Sequence, residues 1–247
     1  TFNMYCHREP RFYLTVVWNG QWFKWENRNT NFLYGGPDGG PTHDAPQNGY
    51  LNRSRVSLDY IPRDNNHPYR PAIIFRMAEA YLSYAEALNE CSERMSYEQE
   101  ILNNLNKIRH RAGIAEYGTG TDENGFTRIK INFADQKEVR RLIHKERRVE
   151  FVGEGIRYHD LRRWKTAHYG IGNMNEQGEN PDWGVNGPDH GMNYYGTEYT
   201  DQGDNAFFKR TKYMDRVYPR KFYWYPIHQS EIDKDPTLVQ GPFWLGE

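Results

Sequence analysis

The segment HKERRVEFVGEGIRYHDLRRW, residues 144–164, sets Glu146, Glu150, Glu154 and Asp160 among Arg147, Arg148, Arg157, Arg162 and Arg163. Glu146 and Glu150 are four apart, so a helix would carry them on one face. Two such carboxylates could serve as general acid and base, the chemistry of a glycoside hydrolase. The same residues could equally build an ion-pair lattice. A carboxylate held by arginine stays ionised, which suits a structural pair better than a proton donor. His159 beside Asp160 invites a metal or relay role, but no HExxH is present and no second histidine sits at ligand spacing nearby. A packed or surface histidine is the simpler reading. VGEGIRY lacks the third glycine of a dinucleotide fingerprint and follows a helical pattern, and neither GxxxxGK[ST] nor GxSxG occurs. No catalytic residue and no metal site is therefore assigned.

A second group of residues could do a different kind of chemistry. Trp18, Trp22, Phe23, Trp25 and Tyr34 crowd into one short stretch that leads into a Gly/Asn-rich loop. Sugar rings have apolar C–H faces on which indole and phenol rings stack, while amide and charged side chains bond the hydroxyls. Trp22 and Trp25 are the leading stacking candidates, with Tyr34 and Trp18 behind them, and Asn27 or Asn29 could supply hydroxyl contacts. The alternative is that these rings pack under the loop as a small core of their own.

The elements that would position these groups can be read from pattern. RFYLTVVWNGQWFKW alternates and then meets Asn19-Gly20, which predicts a β-hairpin. Residues 27–66, with GGPDGGPTHDAPQNG, read as a long loop of the kind that is either functional or disordered. Pro71 sets up a helix through IIFRMAEAYLSYAEALNE, with Ile73, Met77, Tyr81, Tyr84 and Leu88 on one face. Ala78, Ala80, Ala85 and Ala87 would let a neighbouring helix come close. A second helix carries Ile101, Leu105, Ile108 and Ala112 and stops at Gly113. Together they suggest a tetratricopeptide-like helical hairpin. A third helix runs from Asp135 to about Phe151, and a fourth from Ile156 to Trp164, with Gly153 and Gly155 between them. Residues 169–205 form another loop, carrying Trp183, Tyr194, Tyr195 and Tyr199, and the tail turns at Pro226 into a helical turn at Ser230 to Ile232.

Composition sets the outer limits. The 247 residues suffice for a substantial core. A net charge of −1 offers no broad positive field for nucleic acid. Two cysteines, Cys6 and Cys91, are too few for a disulfide framework or a cysteine-only zinc site. No run approaches the ~18 apolar residues of a membrane span. The opening TFNMYCHREP has no signal-peptide pattern, so Cys6 is not expected to carry a lipid. No cofactor is expected, although TDENG and GGPDGG hold oxygens that calcium could use.

The blocks DYIPRDNNHPYRPAIIFRMAEAYLSYAEALNE, LNKIRHRAGI, IHKERRVEFVGEGIRYHDLRRWKTA and YWYPIHQSEIDKDPTLVQGPFW, in this order, resemble the C-terminal half of the SusD/RagB family. EPRFYLTVVWNG is similar to the segment before that family's ligand loop. The resemblance implies a mainly α fold in which tetratricopeptide-like helix pairs support a loop-rich ligand-binding half with short β-hairpins. It makes residues 1–247 the C-terminal part of one such domain: hairpin and ligand loops at 1–66, helical scaffold at 71–165 and a loop-rich region at 166–247. It also implies a non-enzymatic, lipid-anchored protein of the Bacteroidetes outer membrane surface, which captures oligosaccharide or polysaccharide and passes it to a SusC-like TonB-dependent transporter. Some members take peptides instead. On this resemblance HKERRVEFVGEGIRYHDLRRW is a structural signature.

Overall fold

A computed structural model describes residues 3–54, 56, 57, 59, 60, 64, 65, 67–69, 72–170 and 184–245. They form α1 (Pro10–Thr15), β1 (Val16–Trp18), β2 (Trp22–Phe23), β3 (Arg28–Asn29), β4 (Tyr50–Asn52), α2 (Met77–Glu90), α3 (Glu98–Arg111), α4 (Gln136–Glu150), α5 (Ile156–Arg163), β5 (Gly187–Gly191), β6 (Thr211–Arg216) and α6 (Gln229–Lys234). The fold is mainly helical with short antiparallel strand pairs, as expected. It gathers into two compact units, Thr1–Arg157 with Met192–Lys209, and Tyr158–Gly191 with Arg210–Glu247.

The helical scaffold of the first unit is α2, α3 and α4, with α2 packed on both others. Its core joins Ala78, Leu82, Ala85 and Leu88 of α2 to Ile101, Leu105 and Ile108 of α3 and to Val139, Leu142 and Ile143 of α4. The buried face of α2 is thus turned from the expected one, since Met77 and Tyr84 are exposed. Ala78 and Ala85 are the small residues that meet the neighbouring helices. Helix α2 also starts later than expected, at Met77, and Ile73, Ile74 and Phe75 precede it as exposed, non-helical chain. Arg76 explains the late start: its backbone is extended (φ −143°, ψ 156°) and its guanidinium is committed to Glu150 and Glu154. Pro71 lies outside the described residues.

Helix α4 begins where expected because the Asp135 side chain accepts from the N–H groups of Lys137 (2.9 Å) and Glu138 (3.2 Å). Asp135→Ala leaves those donors without that partner and is expected to cost about 1 kcal/mol, read as a lower midpoint in urea unfolding.

The first twenty residues correct the hairpin expectation. Pro10 at the first helical position makes residues 10–15 a helix, and β1 then pairs with β4, Trp18 opposite Tyr50, across the long loop. The local hairpin is shifted to β2 and β3, with Trp22 opposite Asn29. A second core of Tyr5, Trp18, Phe32, Met192, Phe207 and Phe208 lies beneath these loops.

In the second unit β5, which falls within the expected loop 169–205, pairs antiparallel with β6. The sequence GPDHG has little strand propensity. The strand is held by side chains: Asp189 pairs with Arg216 and accepts from the Tyr213 hydroxyl at 2.9 Å. Leu161, Ala167 and Tyr218 form its core, and α6 lies at the expected helical turn. Trp183 is outside the described residues. No helix among the described residues is long and apolar enough to cross a membrane.

Candidate functional site

The carboxylates of residues 144–164 resolve into a lattice. Glu150 accepts from Arg11 Nη1 (3.0 Å), Arg76 Nη1 (2.5 Å) and Arg111 Nη2. Glu146 accepts from Arg11 Nη1 (2.7 Å) and Arg109 Nη1 (3.0 Å), and Glu154 takes two bonds from Arg76 (2.9 and 2.7 Å). The side chains of Glu146 and Glu150 are 4% and 2% exposed. Burial pushes the Glu150 carboxyl up, but hydrogen bonds from Arg111, Arg76 and Arg11 outweigh it and hold the group below the ordinary carboxylate range. Such a group has no proton to give near neutral pH and no open side to offer a substrate. Asp160 pairs with Arg163 at 2.9 Å, and His159 is exposed beside the Tyr158 ring. The partners of the lattice, Arg11, Arg76, Arg109 and Arg111, lie far away in sequence, and their role was not visible there.

The aromatic loops divide differently. Trp18 is buried, with the rings of Phe12 (5.3 Å), Tyr13 (5.4 Å) and Tyr5 (5.9 Å) packed around it, so it belongs to the core and offers no free face for stacking. Trp22 is 58% exposed on β2. Trp25 is half-buried and leans on Phe23 with ring centroids 5.2 Å apart. Asn29 is exposed directly opposite Trp22 in the register, so an amide and an indole stand side by side. Asn27 is exposed in the turn and takes the left-handed conformation (φ 51°) that lets the hairpin reverse.

The hairpin is tied to the loop behind it. Arg28 grips Asp38 with two bonds (2.6 and 2.8 Å), and Asp38 also accepts from the Asn31 N–H at 2.8 Å. Asn19, 2% exposed, accepts from the Phe32 N–H at 2.7 Å. That loop presents Tyr34, whose ring lies 5.6 Å from Tyr195 and 6.1 Å from Tyr194, while those two meet edge to face at 5.1 Å. The Tyr34 N–H donates to the Gly196 carbonyl (2.8 Å) and the Tyr194 hydroxyl to the Thr42 carbonyl (3.3 Å), which joins the two loops. Tyr195 is 70% exposed. Tyr194 and Tyr195 were legible only as aromatic loop residues, because nothing local in NYYG says that Tyr34 is their neighbour. Trp22 and Trp25 make no ring contact with this trio.

Asp122 of TDENG and Asp38 of GGPDGG are internally engaged. Asp122 accepts from the N–H groups of Glu116, Asn124 and Phe126 (3.1, 3.0 and 2.9 Å), and Asp38 is held as described. Among the described residues no group of three or more His, Cys, Asp or Glu is placed to hold a metal ion.

Beside a helical scaffold tied at one end by an arginine lattice, the chain carries aromatic loops on a core of their own, and the model of the SusD family matches residues 1–244, so the chain belongs to that family. Among curated proteins it is similar to SusD-like protein P25 of Formosa agariphila, 35% identical over 109 residues that make up 44% of this chain and 18% of that protein. Among solved structures it is similar to a SusD-like protein from Bacteroides fragilis, with 26% identity, a TM-score of 0.67 and coverage of 98% of this chain and 40% of that one. The chain thus spans less than half the length of either relative.

Proposed function

We propose that this chain provides part of a glycan-binding surface, used outside the cell to capture oligosaccharide for a TonB-dependent outer membrane transporter. In this reading the protein is held at the outer membrane by a lipid anchor and performs no catalysis. Membership of the SusD family supports a nutrient-binding role. The observation that carries the reading is that rings stand exposed on loops fixed by hydrogen bonds rather than mobile ones, Trp22 at 58% and Tyr195 at 70%. A rigid ring loses little freedom when a sugar stacks on it. Asn29 beside Trp22 supplies an amide that can both donate to and accept from hydroxyls.

The test is a calorimetric and affinity-gel screen against plant, host and microbial polysaccharides, with peptides in the same panel. For any polysaccharide that binds, Trp22→Ala with Trp25→Ala, or Tyr34→Ala with Tyr195→Ala, is expected to weaken binding by about tenfold, the effect of removing roughly 1.4 kcal/mol of stacking. No reducing sugar should be released. Binding of peptides alone, or release of sugar that Glu150→Gln abolishes, would overturn the proposal.

A further inference from the structure

One side of α3 borders an open groove of about 690 Å³ whose opposite wall is the segment from Glu116 to Thr119. Gln99, Asn103 and Asn106 line it from the helix, with Glu98 and Lys107 along the same wall. Side chains at these spacings fall on one helical face, so the groove has a row of amides along it.

One rung of that row is occupied. The Asn106 amide donates to the Tyr117 carbonyl (2.9 Å) and accepts from the Tyr117 N–H (2.8 Å), so a single side chain satisfies both polar groups of one non-helical residue. The next rungs are open. Gln99 Nε2 donates to Asn103 Oδ1 (2.8 Å), which leaves the Gln99 oxygen as an acceptor and the Asn103 amino group as a donor, and both residues are exposed.

From this we infer that the α3 groove binds an extended polypeptide segment through its backbone, by repeating at Gln99 and Asn103 the bonding that Asn106 already makes to Tyr117. The spacing fits. Residues 99 and 103 are separated by about 6 Å along the helix, and alternate residues of an extended chain repeat at about 6.6 Å. Glu98 and Lys107 stand about 13.5 Å apart along the axis, which about four extended residues span. Lys107 is steadied over the Tyr81 ring at 4.5 Å, Arg128 is paired with Glu116 at 2.8 Å, and Glu98 and Glu123 add carboxylates to the lining, so the groove carries charges of both signs, matched to a peptide of mixed charge. A saccharide is disfavoured here because the only Phe, Tyr or Trp of the wall, Tyr117, is 5% exposed and has the Arg109 guanidinium 4.1 Å from its ring centroid. It has no free face for a sugar to stack on. This site is separate from the aromatic loops, and its fate does not depend on whether they bind glycan.

The experiment is selection of a phage-displayed random heptapeptide library on the chain, followed by titration of the enriched peptides as synthetic molecules. The expected result is at least a tenfold loss of affinity on Gln99→Ala with Asn103→Ala, at an unchanged unfolding midpoint. Asn103→Lys, which keeps helix propensity while filling the groove, should give the same loss, as should N-methylation of alternate peptide amides. Failure to enrich any peptide, or peptides that bind wild type and both variants equally, overturns the inference. So does an oligosaccharide whose binding is lost in the same variants.

Discussion

Replacing Glu150 by alanine is expected to destabilise the protein by about 3–5 kcal/mol, the cost of breaking a buried charge network by removing one partner. The substitution takes the shared acceptor from Arg11, Arg76 and Arg111. Arg11 has Glu146 and Glu9 left, and Arg76 has Glu154, so those two keep part of their pairing. Arg111 is 55% exposed and can return to water. The cost therefore comes from losing the node that ties residues 11, 76 and 111 to the end of α4. Urea unfolding followed by circular dichroism measures it, and an unchanged midpoint would show that the lattice is not structural. The pH dependence has a definite sign. Glu150 titrates below its ordinary value in the folded state. Its contribution is therefore complete above the unfolded carboxylate range and is lost as pH falls through the lower folded value. The wild type should lose more stability on acidification than Glu150→Gln, which has no such proton to take up.

The second large effect is expected at Gly39. A β-carbon there would lie 2.0 Å from the Leu33 carbonyl oxygen and 2.7 Å from that of Phe32, and both are backbone atoms that cannot swing aside. Gly39→Ala must spread the loop that runs from Asn31 to Thr42, and with it the Asp38 contacts and the position of Tyr34. Overpacking of this kind costs typically about 1–3 kcal/mol. For a polysaccharide that binds as proposed, the expected outcome is a loss of affinity by more than tenfold with little change in far-ultraviolet helical signal, because the substitution falls in a loop and not within α2, α3 or α4. Unaltered binding in Gly39→Ala would mean that Tyr34 does not contribute to the site.

The parts of the fold that sequence revealed are those with local causes. Helices α3 and α4 follow from apolar spacing, the Gly113 stop and the Asp135 cap, each contained within a turn or two of chain. Membership of the SusD family was likewise visible from blocks of residues. What escaped was set by partners far along the chain. The alternation of Phe12, Leu14, Val16 and Trp18 imitates a strand, yet Pro10 and the pull of Glu146 and Glu150 on Arg11 make the first part helical. Ile73 matches the helical face of Met77, Tyr81, Tyr84 and Leu88, yet Arg76 leaves the helix to reach Glu150 and Glu154. For the candidate site, the sequence showed which loops are rich in aromatic residues but ranked the rings by proximity in the chain. That placed Trp18 among the ligands, although it is core, and left out Tyr194 and Tyr195, which join Tyr34 only through the fold.

The two compact units are interleaved along the chain: the first owns Thr1–Arg157 and then Met192–Lys209, with part of the second lying between. No single cut in the gene can therefore leave both units whole. Synthesis from the N-terminus imposes an order as well. Tyr34 leaves the ribosome long before Tyr194 and Tyr195, and Trp18 long before Phe207 and Phe208. Until Met192–Lys209 emerges, the aromatic core under the loops lacks part of its lining and Tyr34 has neither of its ring partners. The tyrosine surface is thus completed by a late-made strap of chain, and truncations ahead of it remove Tyr194, Tyr195 and part of the aromatic core together.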